Sequence, residues 1–217
     1  MVLSGKTRRE VLTEFRHAEI LTAARKVFAE YGFTASTLDQ IAAEAGIAKG
    51  TIYLYFSSKD EILWAAIRSR INAMIEQASV EMEKVSTARE KLRTWLRVRF
   101  SALREDEDFL RVYYSEFGQM CRLKGMFRQE FRELYQRGAA ILIVALEEGI
   151  RSGELRPLPT QEIALALMNL SRDMFAEQLL DMYSSTVDQE QFIFDLFWSG
   201  IAGQPDGTGA VPAESQS

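Results

Sequence analysis

The first clear pattern in the chain is an apolar stripe in its N-terminal part. Five apolar residues recur with the spacing of one helix face, at i, i+4, i+7, i+8 and i+11: Ile20, Ala24, Val27, Phe28 and Tyr31. Gly32 follows the stripe at once, as glycine often does where a helix ends. The pattern predicts an amphipathic helix that ends at Gly32.

A second short helix and a sharp turn come next. Thr37 and Gln40 have the spacing of a capping box, in which both side chains satisfy free N–H groups at a helix start. Gly46 suits a turn that requires positive φ, and Ile47 can be buried beside it. A third helix is predicted to begin near Ala48. Two short helices around a tight glycine turn are typical of a helix-turn-helix.

The remainder of the chain is predicted to be helical as well. Ser58 and Glu61 indicate a second capping box, at the start of a long helix that continues through Ile75. From about Thr87 to Trp198 the apolar residues keep helical spacing, and no run alternates with the period of a strand. We therefore expect an all-α protein of about nine helices.

The same pattern divides the chain into four parts. Residues 1–14 form a basic lead that is predicted to be flexible, and residues 15–62 form a three-helix domain with the helix-turn-helix. Residues 63–200 form a second helical domain. Residues 201–217 lack the apolar side chains needed to fold and are predicted to be a disordered tail.

Charge is distributed unevenly along the chain. The net charge is −5, but residues 1–70 contain ten Lys or Arg against eight Asp or Glu. This asymmetry favours the N-terminal part as the contact for a polyanion.

Several classes of protein are excluded by what the sequence lacks. Cys121 is the only cysteine, so no disulfide can form within one chain, which favours the cytoplasm. No stretch approaches the roughly 18 apolar residues that span a bilayer, so no membrane contact is expected. His17 is the only histidine and is expected at the surface or as a helix cap. With no zinc ligand set, phosphate loop or nucleophile elbow, we predict no metal, no cofactor and no enzymatic activity.

The third helix carries side chains suited to reading DNA. Lys49, Gly50 and Thr51 open this helix, where Gly50 permits a close approach and Thr51 is short enough to meet a base edge or a methyl group. Tyr53 and Tyr55 lie on different flanks, so they can reach phosphates on both walls of the groove.

Thr37 and Lys59 complete the predicted DNA face. Thr37 offers a hydroxyl and free N–H groups to a phosphate, and Lys59 adds a positive charge in the first turn of the long helix. Each residue has another interpretation, because the tyrosines can pack internally, the lysines can be solvated, and Thr37 can act only as a cap. The basic lead can enter a minor groove, although a solubilising tail is the favoured interpretation.

These residues lie within a segment that resembles a known family. Residues 15–64 resemble the N-terminal domain of the TetR family of bacterial transcription regulators, and the resemblance rests on ILTAARKVFAEYGFTASTLDQIAAEAGIAKGTIYLYFSSKDEIL. It implies contacts with double-stranded operator DNA at the positions above and a homodimer formed by the last two long helices. It also implies release of the operator when a small molecule binds the C-terminal domain.

Residues of the C-terminal domain predict where a ligand binds. Large apolar side chains and two polar groups are expected to line a cavity for a small, largely apolar effector. These residues are Trp95, Phe100, Met120, Met168, Asn169, Arg172 and Phe175. Ordinary core packing is the alternative for each apolar residue, and a salt bridge with Asp173 or Glu177 is the alternative for Arg172.

The last two predicted helices, residues 163–183 and 189–198, carry more apolar area than one buried face needs. The predicted dimer contacts are Leu167, Leu170, Met174, Phe192, Phe194, Phe197 and Trp198. The alternative is that these side chains form the core of one protomer.

The favoured function is therefore a sequence-specific DNA-binding transcription regulator, a repressor that a small, largely apolar ligand releases from its operator. A ligand-responsive activator and a small-molecule-binding protein without a specific operator are the alternatives. Only the habit of the resembled family favours a repressor over an activator.

Overall fold

The protein is all-α, as predicted. A computed structural model describes residues 7–105, 107, 110, 114, 125, 127–179, 182 and 186–203. This part of the chain contains eight helices: α1 Arg8–Ala35, α2 Leu38–Glu44, α3 Lys49–Ile52, α4 Lys59–Glu83, α5 Ala88–Glu105, α6 Arg128–Ser152, α7 Thr160–Leu179 and α8 Gln189–Ile201. Cys121 and residues 204–217 of the predicted tail lie outside the described residues.

Helix α1 begins earlier than predicted. Thr7 and Glu10 form a capping box, with the Thr7 hydroxyl accepting from the Glu10 N–H and the Glu10 carboxylate accepting from the Thr7 N–H. The prediction of a flexible lead is therefore wrong from Arg8 onward, because a cap that the apolar stripe did not reveal starts the helix there. The predicted break at Gly32 is confirmed, since its φ of 75° interrupts the helical backbone.

The helix-turn-helix is built from the local signals of its sequence. The Thr37 hydroxyl accepts from the Gln40 N–H at 3.2 Å, and Gln40 Oε1 accepts from the Thr37 N–H at 2.8 Å, which confirms the capping box. Gly46 has the predicted positive φ, 64°, in the turn between α2 and α3. Ile47 packs against the neighbouring core and orients that turn.

The start of α4 differs from the prediction in one contact. Ser58 caps the helix, accepting from the Glu61 N–H at 3.1 Å. The Glu61 carboxylate accepts instead from the backbone N–H and the hydroxyl of Ser57, at 2.7 and 2.6 Å, so the predicted reciprocal bond to Ser58 is wrong. These bonds from Ser57 hold the pKa of Glu61 below its usual value.

Buried apolar side chains form two clusters that share α4. The first cluster joins α1, α2, α3 and the first half of α4, and it continues to Ile75 of α4 and Leu134 of α6. The second cluster joins α5, α6, α7 and α8 to Ala78 and Met82 at the far end of α4. Helix α4 therefore connects the helix-turn-helix physically to the C-terminal core, and the domain boundary after residue 62 stays a prediction.

His17 lies inside α1 and is half-buried, rather than at the surface or at a cap. Its ring centroid is 4.6 Å from that of Phe56, which follows α3. Burial, followed by the positive charge of Arg68, lowers the pKa of His17. The predicted role was wrong because the contact with Phe56 depends on tertiary packing.

None of the described helices is both long enough and apolar enough to cross a bilayer.

Candidate functional site

The N-terminal face of α3 presents the residues predicted to read bases. Lys49 and Gly50 are exposed, and Thr51 is half-buried beside them. Ile52 is fully buried in the first cluster and anchors this short helix. The first turn of α3 therefore faces solvent on a rigid support, as a base-reading surface requires.

Lys49 has a partner that the sequence analysis did not identify. Its ammonium lies 2.7 Å from the carboxylate of Asp39, which is in the first turn of α2. The hydrogen bond that Lys49 donates to Asp39 raises the pKa of Lys49, and the charge of that carboxylate adds to the effect. Both side chains are exposed, and such pairs contribute little net stability, so Lys49 can exchange Asp39 for a phosphate.

The two tyrosines of the predicted DNA face differ in their surroundings. Tyr53 is 55% exposed and is accessible to a partner. Tyr55 is half-buried and packs against the first cluster, which is the alternative interpretation given for it. Phosphate contacts of both tyrosines stay predictions, but only Tyr53 stands away from the core. Leu54, between them, is largely exposed and was not singled out from the sequence.

Lys59 holds two helices together. Its ammonium donates to the backbone carbonyls of Phe33 at 2.6 Å, Ser36 at 2.7 Å and Thr34 at 3.2 Å. It also lies 4.6 Å from the centroid of the Phe33 ring. Because an ammonium has three N–H donors, these contacts engage Lys59 within the protein, and its contact with DNA stays a prediction. Lys59 joins the start of α4 to the end of α1.

Thr37 acts as a helix cap, and this role gives a testable expectation. Thr37→Ala removes the hydroxyl that accepts from Gln40, so the free energy of unfolding should fall by about 1 kcal/mol in a denaturant titration. Thr37→Ser keeps the hydroxyl and should stay close to wild type. An alanine variant as stable as wild type would show that this cap does not stabilise the fold.

A cavity of about 130 Å³ lies between α4, α5, α6 and α7. Most of its wall is apolar, and its charged side chains come from three different helices. The described residues that line it are Ile67, Arg70, Ile71, Met74, Ile75, Trp95, Arg99, Ala102, Leu103, Leu110, Tyr114, Phe131, Leu134, Tyr135, Gly138, Met168 and Arg172. Apolar walls with a few convergent polar groups are typical of small-molecule sites.

Three of the predicted ligand residues line this cavity, namely Trp95, Met168 and Arg172. Their contact with a ligand stays a prediction. The guanidinium of Arg172 also forms the alternative salt bridge, at 2.7 Å from Asp173.

The other predicted ligand residues lie elsewhere. Phe100 and Phe175 pack edge to face in the second cluster, with centroids 6.3 Å apart. Asn169 does not line the cavity either, and its side-chain oxygen accepts from the Tyr135 hydroxyl at 2.8 Å. These placements correct the prediction, because helical spacing alone does not separate cavity wall from core. Met120 lies outside the described residues.

Arg70, Arg99 and Tyr135 line the cavity but were missed in the sequence analysis. For Arg99 a signal existed, because it falls four residues after Trp95 on the apolar stripe of α5. A charged residue on a buried stripe indicates a polar site inside a core. Arg70 and Tyr135 give no such signal, since only packing brings α4 and α6 around the cavity.

Polar and aromatic contacts at the first turn of α6 connect the cavity to the first cluster. The Glu130 carboxylate accepts from Trp64 Nε1 at 2.9 Å and from Arg68 Nη1 at 2.5 Å, and both donors belong to α4. The buried Trp64 ring stacks on Phe127, with centroids 5.5 Å apart. Phe131, which lines the cavity, lies 6.1 Å from the same ring. Cavity wall and helix-turn-helix core thus meet at Trp64.

The predicted dimer residues fall into two groups. Leu167 and Phe194 are 2% and 3% exposed in the second cluster of their own protomer, so predicting them as dimer contacts was wrong. Leu170, Met174, Phe197 and Trp198 are half-buried. Phe192 is 45% exposed on α8, and Leu196 one turn later is 51% exposed. The outer face of α8 is therefore an accessible apolar surface.

Comparison with known proteins identifies relatives of this chain. The sequence profile of the family described as "Bacterial regulatory proteins, tetR family" matches residues 20–66. The fatty acid metabolism regulator protein of Bacillus subtilis is 36% identical over 141 residues, which cover 65% of this chain and 71% of that protein. The transcriptional repressor KstR2 of Mycolicibacterium smegmatis is 28% identical, with coverages of 65% and 68%.

Solved structures show the same fold. The crystal structure of the regulator FadR from Bacillus subtilis, in complex with stearoyl-CoA, superposes with a TM-score of 0.73 and 30% identity. The match covers 85% of this chain and 98% of FadR. The chain belongs to the TetR family of bacterial regulatory proteins and is a DNA-binding transcription regulator.

Proposed function

We propose that this protein is a homodimeric repressor that leaves its operator when a largely apolar acyl compound enters the cavity between α4, α5, α6 and α7. The single observation that carries the proposal is the position of this cavity. Five of its lining residues come from α4, the helix that also begins at the helix-turn-helix. A ligand that changes the cavity therefore acts directly on the helix that positions the DNA-reading residues.

The DNA side of the proposal rests on α3 and its neighbours. An accessible surface is formed by the exposed Lys49, Gly50 and Tyr53 with the half-buried Thr51 beside them. Helix α2 precedes it along the chain, as the first helix of a helix-turn-helix does. One such unit buries little DNA, so useful affinity needs two units about 34 Å apart on one face of the duplex. A dimer meets this requirement.

The outer face of α8 is the proposed centre of the dimer. Phe192 and Leu196 form an exposed apolar pair one helical turn apart, and Leu170 and Met174 on α7 are half-buried. An apolar face of this kind is typical of a twofold interface between identical subunits.

The size of the cavity supports a ligand that binds by widening it. At about 130 Å³ it is close to an engineered cavity of about 150 Å³ that accepts benzene. A longer acyl chain, such as that of the stearoyl-CoA bound by the relative from Bacillus subtilis, needs more space. Binding must then separate α4 from its neighbours, and a ligand that favours this wider state shifts the population away from the DNA-binding state.

The contacts of Trp64 connect the widening of the cavity to the first cluster. Phe131 lines the cavity and touches Trp64, and Glu130 holds Trp64 and Arg68 of α4. Repression is favoured over activation because KstR2 is named as a repressor, and its match covers 65% of this chain. The proposal assigns binding to this protein and no catalysis.

The experiment is a titration of the protein onto DNA from upstream of its own gene, with a scrambled duplex of equal length as control. We expect the native DNA to bind about 1,000-fold tighter, with affinity falling as salt rises. Stearoyl-CoA, stearate, decanoyl-CoA and decanoate are then added to the bound complex, and at least one should release it. Binding that distinguishes the two duplexes but resists all four compounds would contradict the ligand class.

A further inference from the structure

We infer that Gly138 and Met168 set the length of the hydrocarbon chain that the cavity accepts. This inference rests on the proposed function and deepens it, because it names the property of the ligand for which the site selects. The juxtaposition behind it is a glycine in the cavity wall that is covered by the end of a methionine side chain.

Gly138 lies at the end of the cavity that points away from the helix-turn-helix. Helix α4 leads away from the helix-turn-helix, and its lining residues run from Ile67 to Ile75. A Cβ atom on Gly138 would lie 3.6 Å from Ile75 Cδ1, beside the last of them. Phe131, seven residues earlier on α6, lies beside Trp64 near the start of α4. A chain that extends along the cavity in this direction therefore meets Gly138 and Ile75 at its end.

Space, and not backbone conformation, accounts for a glycine at position 138. Gly138 lies within α6 and is not one of the described glycines with positive φ. Glycine destabilises the interior of a helix relative to alanine, so the helix gains nothing from it. A Cβ atom here would lie 3.3 Å from Met168 Cε, which is closer than the best separation of two carbon atoms. The absence of a side chain therefore makes room for the end of Met168.

Met168 is the movable part of this wall. Its carbonyl accepts from Arg99 Nη2 at 3.2 Å and from the Ser171 hydroxyl at 3.1 Å, so its backbone is held in place. Its side chain has three rotatable bonds, whereas the neighbouring Ile75 is branched at Cβ and is stiffer. Rotation can move Met168 Cε away from Gly138 while α6 and α7 stay where they are. The end of a longer chain can then occupy the space above Gly138, in addition to the space gained when α4 separates from its neighbours.

The test measures how the affinity of the intact protein depends on chain length. Isothermal titration calorimetry is performed with straight-chain fatty acids and their coenzyme A thioesters, from octanoyl to stearoyl, below their micellar concentrations. Affinity should rise about fourfold with each buried methylene and stop rising when the chain reaches the end wall. The length at which the rise stops, the length limit, is the quantity that is compared between variants.

Two variants should move the length limit in opposite directions. Gly138→Val should shorten it by about two carbons, because the new side chain fills the space that the chain end enters. Chains beyond the new limit should bind about tenfold weaker than to wild type, and shorter chains should stay within about threefold. Met168→Ala should lengthen the limit by about two carbons, because it removes the side chain that covers Gly138.

Each variant has a matched control. Ala140→Val adds the same side chain to an exposed position of α6. Leu167→Ala removes a buried side chain next to Met168 that is not part of the described cavity wall. Neither control should move the length limit, although Leu167→Ala should lower the temperature of thermal unfolding. Unchanged binding of the shorter chains reports an intact cavity in Gly138→Val and Met168→Ala.

A length limit that is the same in wild type, Gly138→Val and Met168→Ala would overturn the inference. The proposed function would stand in that case, because the acyl compounds still bind. Equal loss of affinity at every chain length in Gly138→Val, with the limit of Met168→Ala unchanged, would show that the two residues serve packing only. If neither series binds to wild type, the proposed function fails together with the inference.

Discussion

Thr51→Glu is expected to lower affinity for the operator by about 100-fold or more, the largest effect we predict for a single substitution. Thr51 lies in the first turn of α3, between the exposed Gly50 and the buried Ile52. A carboxylate there would face DNA phosphates. The substitution also removes a short side chain that can meet a base edge. Fluorescence anisotropy with a labelled operator measures the loss.

Thr22→Glu is the control for this variant. Thr22 is exposed on α1, outside the proposed DNA surface, and its substitution changes the net charge of the protein equally. We expect operator affinity to change less than about threefold, because a distant surface charge is partly screened by salt. Equal losses in both variants would show that net charge, and not the face of α3, governs binding.

Glu130→Leu is expected to uncouple the two sites. It removes the acceptor shared by Trp64 and Arg68, while leaving the cavity wall and the DNA face unchanged. Operator affinity without ligand should stay within about threefold of wild type, but the factor by which ligand weakens it should fall by about tenfold, which is within the usual range of coupling energies. Operator titrations with and without saturating ligand measure that factor.

Glu133→Leu is the matched control on the same helix. Glu133 is exposed, and its carboxylate accepts from the Gln129 amide. It should couple ligand and operator as wild type does. If Glu130→Leu also retained the full ligand effect, the contacts of Trp64 would not carry the signal.

Local chemistry allowed much of the N-terminal fold to be predicted. The Thr37 box, the positive φ of Gly46 and the helix break at Gly32 each depend on residues within a few positions of one another. Such features form wherever their sequence occurs in a helical context. Thr7 and Glu10 have the same capping-box spacing, but they precede the apolar stripe from which α1 was predicted.

Contacts between distant residues could not be predicted in this way. Lys59 binds carbonyls more than 20 residues away, where α1 ends, and helical spacing contains no information about that meeting. Leu167 and Phe194 were predicted as dimer contacts because their helices are rich in apolar residues, but packing buries these two within one protomer. The cavity wall combines four helices, so Arg70 and Tyr135 become part of one site only in the folded protein.

The central claim is that one chain carries an operator site and a ligand site that oppose each other. The most direct test measures operator affinity with and without the acyl compound that releases it best, and the affinity for that compound with and without operator. Thermodynamic linkage requires the two factors to be equal, and we predict a common factor of about tenfold to 100-fold. Release of the operator without saturable binding of the compound, or a common factor of about one, would contradict the account.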